Sequence, residues 1–264
     1  MAVFLMALIN CDFYSEALGL STSVTVILPQ NTKTQIGMAG SAKKQKYPVL
    51  YLLHGLSDDN TIWLRRTSIE RYVADMGIAV VMPNAGRSFY TDMYNGYKYW
   101  TYITEELPEI VSDFFPISTK REDTFVAGLS MGGFGALKIA LNLPEKYAAA
   151  ASLSGVSGIS EHFATALPEF QKELFNVFGE PQGIKGSIND IYFQADKVSK
   201  GSVKPKLYQC CGTEDFLYED NTNFRDFIKD KGFDYTYEEG PGQHEWGFWD
   251  NYIQKVLKWL PIKG

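Results

Sequence analysis

Cysteine and histidine are the scarcest side chains that could carry chemistry here: three of each in 264 residues. Cys11, Cys210 and Cys211 are too few, and spaced too irregularly, for a disulfide framework. There is no C-x-x-C pair and no H-E-x-x-H run, so no metal-ligand spacing is present, and no metal or cofactor is expected. Basic charge is also in short supply. Lysine and arginine number 25 against 31 acids, a formal net charge of −6. A duplex-binding surface needs the opposite balance, so nucleic acid is not an expected partner. No apolar run approaches the ~20 residues that span a bilayer, and a membrane is not expected either. The stretch Met1–Ile9 is apolar, but the first lysine is Lys33, the first arginine Arg65, and no small-residue cleavage site follows. It reads as a strand, not a leader. With no Asn-x-Ser/Thr sequon and few thiols, a cytoplasmic setting is the expectation.

What the sequence does hold is an alternation of apolar strands and helical patterns. Residues 2–9 and 21–28 read as an initial antiparallel pair, and residues 37–44 as a polar, glycine-containing loop. Val49–Leu53 is a continuous apolar run, as a strand buried on both faces requires. Further strands are expected at Ile78–Met82, Thr124–Leu129, Ala148–Leu153, Lys206–Cys211 and Tyr235–Glu238. Helices are expected at Ser68–Asp75, Tyr99–Phe115, Gly133–Leu143, Asn221–Lys231 and His244–Leu260. This order implies one α/β domain over residues 1–264, with a mostly parallel central sheet covered by helices on both faces. Residues 154–205 are too long for a simple connector and read as an inserted cap over a site.

Gly128-Leu-Ser-Met-Gly132 matches G-x-S-x-G, weak as a bare pattern. Its setting strengthens it: the strand Thr124–Ala127 runs into it and a helix continues from Gly133. That strand–turn–helix context is what a nucleophile elbow needs to expose a serine hydroxyl. Serine needs a base to take its proton. Of His54, His162 and His244, only His244 gives the order Ser…acid…His of the α/β-hydrolase arrangement. For the acid, Gly212-Thr-Glu-Asp215 turns away from the end of a buried strand, where open α/β sheets bind ligands. Asp215 is preferred to Glu214, with Asp190, Asp196 and Asp220 as alternatives. Leu53-His54-Gly55-Leu56 follows another strand, so the backbone N–H groups of Leu56 and Met131 are the candidate oxyanion-hole donors. His54 is then expected to hold this loop rather than act as a second base. The aromatic-dense run Phe89–Tyr102 lies on the same side; Tyr90 within it could stack on substrate, although packing beneath the insertion is favoured. Cys210 and Cys211 read as buried thiols.

Taken in order, Tyr51-Leu-Leu-His-Gly-Leu56, Trp63-Leu-Arg-Arg-Thr67, Val81-Met-Pro-Asn84, Glu105-Glu-Leu-Pro108, Gly128-Leu-Ser-Met-Gly-Gly133, Cys211-Gly-Thr-Glu-Asp-Phe-Leu-Tyr218 and His244-Glu-Trp246 resemble the bacterial tributyrin esterases. These belong to the wider esterase D and S-formylglutathione hydrolase group. The resemblance runs from about Tyr14 to Pro261 and implies an α/β-hydrolase fold without a cofactor. It further implies cleavage of short-chain acyl esters, often acetyl groups on sugars, and a homo-oligomer among its assemblies. By position, Ser130 matches the nucleophile, Asp215 the acid and His244 the base, with Leu56 and Met131 at the oxyanion hole. Trp63 and Trp246, within matching motifs, join Tyr90 as candidate substrate-binding residues. The rival readings are an S-formylglutathione hydrolase, a feruloyl or acetyl polysaccharide esterase, an acyltransferase, and a binding protein on a hydrolase scaffold.

Overall fold

In a computed structural model, which describes residues 5–30 and 46–262, eight strands form one sheet in the order β1-β2-β4-β3-β5-β6-β7-β8. They are β1 (Leu5–Ser15), β2 (Leu20–Gln30), β3 (Val49–Leu53), β4 (Ala79–Pro83), β5 (Thr124–Leu129), β6 (Ala149–Leu153), β7 (Lys206–Gly212) and β8 (Tyr235–Gly240). β2 runs antiparallel to both β1 and β4, and every other neighbouring pair is parallel. This is the α/β-hydrolase fold. Residues 2–4 of the expected first strand, and the expected loop 37–44, lie outside the described residues.

The central strands β3 to β6 form where β-branched and aliphatic residues leave few polar side chains to solvate. In β3 all five residues are buried, and alternate ones feed opposite faces. Val49, Tyr51 and Leu53 join one core while Leu50 and Leu52 join the other. Each such aliphatic residue stabilises the fold by ~1.5–3 kcal/mol through removal from water. β1 reaches six residues beyond the apolar run that suggested it. As an edge strand it needs only one buried face: Cys11 and Phe13 lean inward while Leu8 and Tyr14 stay exposed. Its backbone pairs with β2 up to Ser15↔Leu20, whatever the outer side chains are.

The helices are α1 (Ile62–Arg66), α2 (Ile69–Tyr72), α3 (Tyr99–Thr101), α4 (Leu107–Phe114), α5 (Met131–Asn142), α6 (Ile159–Thr165), α7 (Pro168–Phe178), α8 (Ile191–Ser199), α9 (Tyr218–Ile228) and α10 (Trp246–Trp259). The helix expected at Ser68–Asp75 is shortened to α2, and α1 precedes it where no helix was expected. A π-helical turn, Tyr102–Glu106, joins α3 to α4. Within it, Glu106 accepts the N–H of Glu16 (2.6 Å) and the hydroxyl of Ser15, which closes the β1–β2 hairpin. α9 begins three residues ahead of the expected Asn221, directly after the loop that carries Asp215.

The segment between β6 and β7 divides in two. α8 packs on α5 and serves as the crossover helix between the parallel strands. The earlier part, with α6 and α7, contributes walls around Ser130. Beneath it, Phe89 meets Phe134 and Phe178, and Tyr94 meets Phe175, so the aromatic run packs against the insertion.

Candidate active site

Every group singled out for chemistry sits at the carboxyl end of a parallel strand, where chain direction changes and backbone groups are free to face a ligand. β5 ends in Ser130, the first non-helical residue ahead of α5. Its φ is 52° and ψ −118°, a left-handed conformation that a serine adopts only when its surroundings impose it. The imposition is visible on both sides. A Cβ on Gly128 would lie 2.4 Å from the Gly132 backbone. One on Gly132 would lie 2.6 Å from the Leu53 carbonyl oxygen and 2.7 Å from that of His54. Strand, helix and the loop after β3 are thus in backbone contact, which only glycine permits.

His244, on the loop between β8 and α10, places Nε2 2.9 Å from Ser130 Oγ. Its Nδ1 lies 2.9 and 3.0 Å from the two carboxylate oxygens of Asp215, on the loop after β7. Burial alone would raise the Asp215 carboxyl. Hydrogen bonds from His244 and from the Leu217 N–H (2.9 Å) outweigh that and hold it below the usual aspartate value. Asp215 is therefore an anion at neutral pH, and its preferred partner is an Nδ1–H, which leaves Nε2 free to accept the serine proton.

The other acids weighed from sequence are engaged elsewhere. Asp190 caps α8 by accepting the Phe193 N–H, and also holds the Gly186 N–H. Asp196 pairs with Lys200 and Lys231, each at 2.6 Å. Asp220 accepts the N–H groups of Ser157 and Gly158. Glu214 accepts the Gly242 N–H at 2.6 Å, tying down the start of the His244 loop.

His54 is buried with its ring between two backbone groups. Nδ1 faces the Gly55 carbonyl at 2.7 Å, and Nε2 accepts the Ala85 N–H at 2.9 Å. That pattern fits the neutral Nδ1–H ring, and burial lowers its pKa, against weaker opposing pulls from the Gly55 carbonyl and Asp59. The unfolded chain takes up a proton near the ordinary histidine value of ~6.5, and the folded chain only further down. Stability should therefore fall as pH drops from about 6.5 to that lower folded value, by up to ~1.4 kcal/mol per pH unit. Urea unfolding at several pH values should show a shallower acid slope in His54→Gln than in the parent, and equal slopes would contradict this.

The three residues expected to touch substrate do something else. Trp63 is 1% exposed and donates its indole N–H to the Leu53 carbonyl at 3.0 Å. Tyr90 is fully buried, and its hydroxyl donates to the His54 carbonyl at 2.9 Å. Trp246 stacks edge-on against Trp63 and Trp249, and Trp249 in turn meets the His244 ring with centroids 4.9 Å apart. All three brace the loops that carry the polar groups; none lines the chamber over Ser130. Tyr90 and the preceding Phe89 share positive φ values of 53° and 50°. Lys138, fully buried in α5, donates to the Tyr90 carbonyl (2.9 Å) and to Thr91 Oγ1 (2.8 Å). Burial drives this ammonium well below the usual lysine range.

The chamber has a volume of ≈ 130 Å³ and is walled by Ser130, Leu56, Met131 and a set of side chains not anticipated from sequence. Phe89 comes from the aromatic run, Val156, Ile159, His162 and Phe170 from the segment after β6, and Phe216 and Leu217 from beside Asp215. Phe216 is 75% exposed, and its ring lies against His244 at 4.6 Å. Adjacency to Asp215 could have flagged the last two; nothing local marks the others. Met131 opens α5, so its N–H has no acceptor within the helix. Among the described residues no group of acids, histidines and cysteines could hold a metal ion, and no helix is long and apolar enough to cross a membrane.

Comparison with known proteins gives a consistent picture. The sequence model of the Esterase family matches residues 15–260. An acetyl esterase of Caldicellulosiruptor saccharolyticus is 33% identical over 97% of this chain and 98% of its own. Among solved structures, FphF, a fluorophosphonate-binding serine hydrolase of Staphylococcus aureus, superposes with a TM-score of 0.86 at 36% identity, covering 98% of this chain and 100% of that one. The S-formylglutathione hydrolase FrmB of the same organism gives 0.82 at 38% identity, over 97% and 98%.

Proposed function

This chain belongs to the Esterase family of α/β-hydrolases and is a carboxylic ester hydrolase; from that premise we propose that it cleaves short-chain acyl esters, acetyl to butyryl, through an acyl-enzyme on Ser130. The observation that carries the reading is the unbroken hydrogen-bonded line from Asp215 through His244 to Ser130. Ser130 Oγ attacks the ester carbonyl while His244 Nε2 takes its proton. Asp215 holds the ring in the right tautomer and stabilises the imidazolium. The oxyanion is received by the N–H groups of Met131 and Leu56, each worth ~3 kcal/mol of transition-state stabilisation. His244 then protonates the departing alcohol, and a water activated by the same ring releases the acid.

Chamber size supports the acyl preference. The space beside Ser130 is small, ≈ 130 Å³, and walled mainly by apolar side chains, which suits a short acyl chain over a long one. A formyl group fits as well, so a thioester of formic acid is the second reading, supported by the likeness to the S-formylglutathione hydrolase. The three free thiols accord with a reducing, cytoplasmic setting. The test is a p-nitrophenyl ester series on protein whose Ser130 is shown to label with a fluorophosphonate. kcat/KM for butyrate should exceed that for octanoate by about tenfold or more, since forcing even one methylene too many into a filled apolar pocket costs ~1–3 kcal/mol. Parity between the two chain lengths would overturn the assignment.

A further inference from the structure

Beside the chamber over Ser130 lies a second, larger space. A cavity of ≈ 470 Å³ shares His162 and Phe216 with it, and its remaining wall includes Glu161, Tyr192, Glu219 and Asp220. No lysine or arginine lines it. Where the chamber is closed by apolar side chains, this cavity is polar and acidic. Its parts are held in place: Asp220 accepts the Ser157 and Gly158 N–H groups at 2.6 and 2.9 Å and lies 3.6 Å from His162 Nε2. The Tyr192 ring is clasped by Phe224 and Phe227. A neighbouring recess of ≈ 230 Å³ shares Glu161 and Tyr192 and has both Lys185 and Asp190 in its wall. The same recess is lined by Ser157, whose buried hydroxyl has no hydrogen-bond partner among the described residues.

Geometry says which part of a substrate reaches this space. With the acyl chain in the small chamber, the leaving atom must point to His244, which protonates it. The His244 ring lies against Phe216, and Phe216 forms part of the cavity wall. We propose that this acidic cavity receives the alcohol or thiol portion of the ester and selects it by charge, cationic ahead of neutral and neutral ahead of anionic. The inference rests on the acyl-enzyme reading above. In the step concerned, the bond from Ser130 Oγ to the acyl carbon forms first, and the bond from that carbon to the leaving oxygen or sulfur breaks as the oxyanion collapses. The leaving atom departs with the proton held by His244, and water later takes the acyl group.

Glu161 and Glu219 are exposed, so their field acts through a high effective dielectric and is screened by salt. The faces of Tyr192 and Phe216 add attraction for a cation. A glutathione thioester carries two carboxylates and one ammonium, a net anion, and belongs at the disfavoured end.

The experiment uses three acetyl thioesters of similar size: acetylthiocholine, S-acetyl-2-mercaptoethanol and S-acetyl-3-mercaptopropionate. Each kcat/KM is divided by that compound's own hydroxide-catalysed rate constant. At about 20 mM salt the cation should exceed the anion by about tenfold, shrinking to about two- or threefold near 0.5 M. In the double variant Glu161→Gln/Glu219→Gln the low-salt ratio should fall to about threefold or less. Because each ratio is taken within one enzyme, it does not depend on the variant's overall activity. Equal rates for the three compounds, a preference for the anion, or a ratio indifferent to both salt and the double variant would overturn the charge selection. Turnover surviving in Ser130→Ala would instead overturn the acyl-enzyme reading beneath it.

Discussion

Ser130→Ala will abolish turnover of p-nitrophenyl acetate and butyrate, lowering kcat by at least about a thousandfold, while the protein keeps its melting temperature to within a few degrees. The loss follows from chemistry: alanine offers no atom to acylate, and what remains is the oxyanion site and substrate binding, which together give only a residual rate over water. Retention of the fold follows from structure. The hydroxyl's hydrogen-bond partner is His244, whose side chain is 17% exposed at the chamber, so water can reach the nitrogen that the hydroxyl leaves. Alanine must still adopt the left-handed backbone of residue 130, and it does so under the same constraint from Gly128 and Gly132. Fluorophosphonate labelling of the parent, and its absence in the variant, is the matching observation. A variant that folds and still turns over would remove Ser130 from the reaction.

Asp215→Asn should cost about a thousand- to ten-thousandfold in kcat at neutral pH with little change in KM. The exchange is nearly isosteric, and Asn can still accept the Leu217 N–H that Asp215 holds. What changes is the face shown to His244 Nδ1. An amide N–H₂ turned toward the ring stabilises the tautomer that carries hydrogen on Nε2, so the nitrogen 2.9 Å from Ser130 Oγ can no longer accept its proton. The carboxylate's lowered pKa adds a stability consequence. Its contribution is present in full above the ordinary aspartate value of ~3.9 and is lost as pH falls through the lower folded value. The parent should thus lose stability on acidification below about pH 4, and Asp215→Asn should lack that portion of the loss. Asp196→Asn, which breaks only exposed lysine pairs, serves as the control and should keep kcat within about twofold. A full-strength Asp215→Asn enzyme would return the acid's role to another carboxylate.

The α/β architecture was legible because its signals are local. Short continuous apolar runs such as Val49–Leu53 fit strands buried on both faces, and their alternation with helical patterns leaves few topologies. The edges were less legible. β1 runs on through Asn10 and Asp12 because pairing with β2 is a backbone matter that side-chain polarity does not report. The helix expected at Ser68–Asp75 shortens to α2, α1 forms ahead of it, and the turn at Tyr102–Glu106 widens to a π-helix.

The site divides along the same line. The amino-acid sequence by itself determined the elbow at Ser130 and the glycines that let strand and helix meet, because these depend on neighbours within a few residues, and it determined that His244 is the histidine that follows both the elbow and a run of acids. Only the tertiary structure decided which acid meets His244, since Asp190, Asp196, Asp215 and Asp220 differ chiefly in the partners that folding gives them. It also decided that Trp63, Tyr90 and Trp246 brace loops while Phe89, Ile159, Phe170 and Phe216 wall the chamber. An aromatic side chain is equally at home against the core or against a ligand, so its composition cannot say which; only the packing of distant segments fixes the face it meets.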